Sequence, residues 1–304
     1  MKRPKPVPIW PNAIMHDISF VVPSYNRAAQ TKAAVESILA QDVRAQIIVV
    51  DDASDDGAAL EQMFAGDSHI RLVRRQKNGG AAAARNTGLE HVTAPIISFL
   101  DSDDCLLPGT LGTRMAMAMS AGMGDRTSAT VYACGWQETG RSSRKRYPRP
   151  SRSRSDFFSA CWFAPGSAIL APASLFHREQ EHFDARLRRL EDFDFFARKA
   201  IDGLMLATQP VLGVQINTSY TALGNDVFKA ADLIEDKMAA YRAENRITRR
   251  EQAAVKAYLA YERAAAYSWA GKKTQATVSL LKSLAYKPRT TLFPGPGWDD
   301  APSL

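Results

Sequence analysis

The sequence predicts an α/β fold, a doubly wound, mostly parallel sheet followed by a C-terminal α-helical hairpin. Three observations carry this reading. Short β-branched runs recur through the first half, helical patterns lie between them, and from about Val227 the composition turns to alanine-rich helix with a marked start and stop.

In order along the chain, the runs 18–22, 46–50, 70–73 and 96–100 have strand length and almost no polar interruption, as buried parallel strands do. Residues 27–41 carry Ala33, Ala34, Ile38 and Leu39 at spacings that put them on one helical face, and 80–91 form a second helix around an alanine run. The portion 105–220 is less regular, with a strand expected at 130–134 and an apolar stretch from Cys161. Thr248 and Glu251 form a capping box that opens a helix to Ala270, with Val255, Tyr258, Glu262, Ala265 and Trp269 at helical spacing and Gly271 as its stop. A second helix, 274–284, ends before Pro288. Trp269 and Leu281 are the expected core of this hairpin, and the Pro- and Gly-rich tail 290–304 is expected to be poorly ordered.

Composition narrows the class. With 304 residues, 45% of them hydrophobic, the chain can bury a substantial core. Three cysteines without C-x-x-C spacing make no disulfide framework and no cysteine zinc site, so a cytoplasmic setting is expected. Prolines interrupt every short apolar run of the N-terminus, which argues against a signal peptide, and no stretch reaches the length of a bilayer span. The net charge is +7, and residues 141–154 alone hold seven basic and no acidic residues. Such a run reads either as a solvated, mobile loop or as a contact for an anionic partner.

In doubly wound sheets, ligands bind outside the carboxyl ends of the strands. Those ends are polar here: Pro23, Ser24, Tyr25 and Asn26 after the first strand, Asp51 to Asp56 after the second, and Asp101, Ser102, Asp103 and Asp104 after the fourth. Carboxylates crowded at a strand end repel one another, and the relief is a hard divalent cation, Mg2+ or Mn2+, which uses one or two carboxylates plus diphosphate oxygens. An acidic turn in solvent is the plainer alternative. Asp51 and Asp52 are placed to accept from a nucleobase, with Tyr25 as a stacking face, while Ser54 and Asp55 are expected to cap the following helix.

Asn78, Gly79 and Gly80 suggest a loop with a close backbone approach. Arg85 beyond them either neutralises a diphosphate or pairs with Asp51 or Asp101 to hold the fold. Glu191 and Asp192 open a helix, where the dipole would lower their pKa; the functional alternative is that Asp192 takes a proton from an attacking hydroxyl. Asp194 and Arg198 are expected to form an exposed i, i+4 pair.

The motifs at 21–27, 48–57, 78–88 and 99–104, in that order, together resemble the family 2 glycosyltransferases, and Phe183, Asp184, Glu191, Asp192 and Arg198 extend the likeness to about residue 203. The resemblance implies a GT-A fold and inverting transfer of a sugar from a nucleotide diphosphate sugar, with uridine as the expected base, to an acceptor hydroxyl in surface polysaccharide or glycan biosynthesis. It implies that Pro23, Tyr25 and Asp52, beside Asp51, hold the nucleobase. Asp101, with Ser102 in the same motif, contacts ribose or sugar, Arg85 the donor; Asp103 binds Mn2+ or Mg2+, Asp192 is the base, and Glu191 and Arg198 lie on the acceptor side. Ala53 stands where the family has glycine.

On this basis 1–16 is an N-terminal extension and 17–225 the catalytic domain, split into a nucleotide-sugar half, 17–110, and an acceptor half, 111–225, with the basic loop 141–154. Residues 226–289 are a C-terminal helical region and 290–304 a tail. The expected acceptor is a glycan or a lipid-linked glycan. The expected further contacts are an anionic membrane, at the inner face, through 141–154 and self-association through the C-terminal helices, with no nucleic acid, since only Tyr147 interleaves the basic run. A nicotinamide enzyme would need G-x-G-x-x-G after the first strand and a nucleotidyltransferase a Gly-rich basic loop there; neither is present. The competing class is a catalytically degenerate GT-A protein that binds anionic partners as a scaffold.

Overall fold

The computed structural model describes residues 16–123, 129–140, 143–164, 166–176, 182–219 and 226–287. The tail 290–304 called from sequence lies outside them, and of the N-terminal extension only His16 is described. Among the described residues no helix is long and apolar enough to cross a membrane.

Strands β1 (Ile18–Ser24), β2 (Ala45–Asp51), β3 (Ile70–Arg74) and β4 (Ile96–Phe99) alternate with helices α1 (Ala28–Leu39), α2 (Gly57–Phe64) and α3 (Gly80–Leu89). The second half supplies β5 (Cys105–Leu106), α4 (Leu111–Ser120), β6 (Thr130–Thr139), β7 (Lys145–Arg146), β8 (Ile169–Pro172), α5 (Glu191–Ile201) and β9 (Met205–Asn217), and the chain continues into α6 (Asp226–Ala243), α7 (Arg249–Trp269) and α8 (Lys273–Tyr286). One sheet runs in the order β3-β2-β1-β4-β8-β6-β9-β5, with β7 on β6. It is parallel from β3 to β4, as the runs foretold. Beyond β4 it is mixed, because β8 runs antiparallel to both β4 and β6 while β9 is parallel to β6.

Both faces are covered, and the period of two shows why the strands read as unbroken apolar runs. Phe20, Val22, Ile47 and Val49 point to the side of α1, whereas Val21, Ile48 and Val50 pack with Ala82 and Ala84 of α3. A third core joins Phe193 and Ala197 of α5 to Ile234 and Met238 of α6 and Val255 and Leu259 of α7. The capping box of α7 is present, Thr248 accepting from Glu251 N–H and Glu251 from Thr248 N–H, an arrangement worth about 1 kcal/mol.

Several expectations change. On α1 the buried face is Ala28, Thr31, Ala34, Val35 and Ile38, and Ala33 and Leu39 face outward. Neither Ser54 nor Asp55 caps α2: Ser54 Oγ and Asp55 accept from the backbone and side chain of Asn26, and Asp56 accepts from Ala28 N–H, so this acidic turn ties down the start of α1 instead. Trp269 and Leu281 are exposed and form no core, because α8 turns Ser279 and Ser283 toward α7, where Ser283 Oγ donates to the Ala257 carbonyl at 2.6 Å. The described part of the basic run is no free loop either: Arg146 pairs with Glu138, Arg149 with Asp156 and Arg154 with Glu251.

Candidate active site

The strand ends open into a cleft of about 970 Å³. Pro23 lies near the end of β1 and Tyr25 just after it, Asp52 follows β2, Asp101, Ser102 and Asp103 follow β4, Arg85 reaches in from α3, and Glu191 and Asp192 stand at the start of α5; all of them line it. Elements separated by most of the chain are thus brought to one place by sheet order alone.

Arg85 organises the centre. Its buried guanidinium donates through Nη2 to Asp101 Oδ1 at 2.8 Å and through Nη1 to Glu191 Oε1 and Asp192 Oδ1, each at 3.0 Å. It lies 5.5 Å from the Phe183 ring centre and 5.8 Å from that of Phe99. Burial opposes its charge, but Asp192, Asp101 and Glu191 outweigh burial and raise its pKa. Of the two sequence alternatives, pairing with Asp101 is realised, and the same side chain lines the cleft.

Three carboxylates around one guanidinium leave negative charge in excess. Burial pushes Asp192 up to about 7, with Arg85 opposing and Glu191 and Asp101 adding to the rise. The expected lowering by the helix dipole is therefore overridden by desolvation. Leu190, just before α5, holds a left-handed φ of 60° and so sets the angle at which Glu191 and Asp192 enter the cleft.

Asp103 pairs with Arg27 at 2.7 Å, and its pKa is raised by burial and by Asp101, with Arg27 opposing. Asp104, buried at the edge of the cleft, accepts from Ser167 Oγ and Asn217 N–H and so fixes the loop that presents Asp101 and Asp103. Among the described residues no cluster of three metal-ligating side chains stands ready. The oxygen donors of Asp101 and Asp103 nevertheless match Mg2+ or Mn2+, which takes one or two carboxylates and completes its shell from phosphate and water.

Asp52 is held in place by Gly79 and Gly80 N–H, the latter at 2.6 Å, and by Arg75. This is the close approach that the two glycines serve: a Cβ on Gly79 would stand 2.3 Å from Arg75 Nη1, and Gly80 adopts φ 81° beneath Arg188. Asp51 does not line the cleft. As the last residue of β2 it points to the opposite side, accepts from Ser54 N–H and pairs with Arg74. Arg198 is likewise absent from the cleft, and its pair with Asp194 is buried rather than exposed; it also donates to the His182 carbonyl. Ala53 keeps the left-handed turn, φ 62°, despite having a side chain.

The cleft has a further wall not anticipated from sequence. Tyr258 and Glu262 of α7 line it, together with Cys161, Arg188 and Arg189, and Asn78 of the expected loop adjoins them. Tyr258 packs on Phe193, ring centres 4.5 Å apart, directly behind Asp192. Burial raises Glu262, while its hydrogen bond with Tyr258 and the charge of Arg189 oppose the rise. The Cys161 thiol is driven up by burial and by Asp192, Glu191 and Glu262, so it stays protonated and is no nucleophile. The signal was available: Glu262 is a lone acid in the stripe that reads Val255, Tyr258, Ala265.

The family model for glycosyl transferase family 2 matches residues 19–180, more than half of the chain. Succinoglycan biosynthesis protein ExoO of Rhizobium meliloti is 37% identical over 107 residues, 35% of this chain and 31% of that protein. The UDP-Glc:alpha-D-GlcNAc-diphosphoundecaprenol beta-1,3-glucosyltransferase WfgD of Escherichia coli is 34% identical over 103 residues, 34% of this chain and 41% of that protein. The matched stretches thus span well under half of these relatives. In fold, the chain is similar to S. aureus TarS 1-349 in complex with UDP, with a TM-score of 0.57, 13% identity, and coverage of 94% of this chain and 99% of that one.

Proposed function

Since the chain belongs to glycosyl transferase family 2, we propose that it moves a sugar from a nucleotide diphosphate sugar, a UDP-sugar in the first instance, to an acceptor hydroxyl with inversion at the anomeric carbon, in the synthesis of a polysaccharide or other glycan. The observation that carries this is the guanidinium of Arg85 bridging Asp101 at the end of β4 to Glu191 and Asp192 at the start of α5, which keeps a donor-side carboxylate and a candidate base within one side chain of each other. The relatives from polysaccharide and lipid-linked glycan synthesis and the UDP-bound fold neighbour support the donor class.

On this reading Tyr25, half-exposed at the lip, stacks on the base, and Asp52, fixed by Gly79 and Gly80, accepts from it. Asp101 and Asp103 would hold a divalent cation, which when bound neutralises the diphosphate as it leaves. Asp192 accepts the proton of the acceptor hydroxyl as its oxygen bonds to the anomeric carbon; the bond from that carbon to the diphosphate breaks and carries its electron pair away. A base whose pKa lies near 7 is poised for that transfer. Arg85 steadies the growing charge and releases Asp192 only as far as the incoming charges rearrange around it.

Thermal-shift and hydrolysis measurements with UDP-, GDP- and dTDP-sugars, with and without Mn2+, test this on the wild type and Asp103→Ala. Metal-dependent stabilisation by one nucleotide class, lost in the variant, is the expected outcome. If no nucleotide stabilises the chain, the transferase reading falls and a scaffold for anionic partners takes its place.

A further inference from the structure

Helix α8 is built inside out. Its small polar residues Ser279 and Ser283 are buried against α7, while Val278, Leu280, Leu281 and Tyr286 are between 41% and 61% exposed, as is Trp269 at the end of α7. These five make up more than half of the large hydrophobic side chains that stand exposed among the described residues. Apolar surface concentrated in this way marks a contact face rather than ordinary surface.

Charge identifies what the face meets. Lys272, Lys273 and Lys282 are exposed, and no acidic residue occurs between 264 and 287. On the helical wheel Lys273 and Lys282 flank Val278 and Leu281 from opposite sides, so their stems border the apolar strip while their ammonium groups reach outward. Lysines along the rim, leucine and valine in the middle, and tryptophan and tyrosine near the ends form the pattern of a helix that lies in the plane of a bilayer surface. A second copy is a poor occupant, because a two-fold pairing of this face sets lysines against lysines with no carboxylate to separate them. The basic run 141–154 is the weaker candidate, since Arg146, Arg149 and Arg154 are spent on internal carboxylates.

We propose that the outer face of α8 and the α7–α8 turn dock the protein on an anionic lipid surface. This goes beyond the transferase reading and does not depend on it. The test is co-sedimentation of the full chain with phosphatidylcholine vesicles, with and without one third phosphatidylglycerol, at low and high salt. The chain pellets with the anionic vesicles at low salt and is released as salt rises. Each lysine near such a surface is worth about fivefold in partitioning, so Lys272→Gln, Lys273→Gln and Lys282→Gln combined weaken binding about a hundredfold. Leu280→Ser with Leu281→Ser weakens it at least about tenfold while the chain still unfolds cooperatively within a few degrees of wild type, because the two side chains are 41% and 61% exposed. Stabilisation by nucleotide is the same in all these variants. Absence of pelleting, pelleting equal in wild type and variants, or a dimer that the leucine variant dissociates without any vesicle binding overturns the proposal.

Discussion

Arg85→Met keeps the reach of the side chain and removes its charge, and its cost follows from the geometry. In the wild type one buried guanidinium stands 2.8 Å from Asp101 and 3.0 Å from both Glu191 and Asp192. Removing one partner from a buried ion pair costs about 3–5 kcal/mol. Asp101 is 38% exposed at its side chain and can rehydrate, so its share is screened and the total falls at the low end, about 3 kcal/mol near pH 8. The deficit depends on pH. Asp192 already titrates near 7 in the folded chain, above its ordinary 3.8, and loses in the variant the cation that restrained it. A carboxyl raised by folding contributes its stability in full below its unfolded pKa and loses it as pH climbs through the folded value. Near pH 5 much of the repulsion is therefore relieved by protonation, and the variant approaches wild type; through pH 7 to 8 the gap opens. Urea unfolding at about pH 5 and about pH 8 reads this directly, and thermal unfolding at the higher pH gives a melting temperature about 5 °C below wild type. An equal deficit at both values, or one under about 1 kcal/mol at pH 8, would refute the view that Arg85 is the principal restraint on these three carboxylates.

Two further predictions are independent of this one. For sugar transfer, kcat/KM rises about tenfold per pH unit up to about pH 7 and then levels, because Asp192 acts only when deprotonated, and Asp192→Asn abolishes transfer while leaving stabilisation by UDP; a limb in the ordinary carboxylate range would remove Asp192 from the role of base. Ala53→Gly relieves about 1 kcal/mol of left-handed strain and returns about half of it as unfolded-chain entropy, so a urea midpoint at least as high as wild type is expected, and a clear fall would mean that the methyl group packs.

The strands and helices of the first half were legible because each is written twice, once in its apolar period and once in the turn chemistry that follows it. The candidate site was legible for the same reason: strand ends in a doubly wound sheet face one crevice, Asp52, Asp101 and Asp103 follow strand ends, and Arg85 projects from the helix beside them. What could not be read was direction at one-residue resolution. Asp51 and Asp52 are neighbours in sequence, yet the pleat sends one to Arg74 and the other to the cleft. Long-range pairing was invisible too: nothing local in the arginine run announces that Arg154 belongs to Glu251 on a helix nearly a hundred residues later. In α8 the apolar pattern misled, because the helix buries its serines and not its leucines.

The ring of Tyr258 resting on Phe193 makes the α7 wall and the Asp192 end of α5 a single mechanical piece. A chimera that exchanges only the C-terminal helices would strip Phe193 of its support and tilt the carboxylate beside it, whereas one that transplants residues 182–287 as a block carries the base and its backing together. The unit that recombination can move without damage therefore lies beyond the family match, which ends at residue 180, and carries the candidate base with it. Diversity in what this cleft accepts would be inherited in pieces of that size.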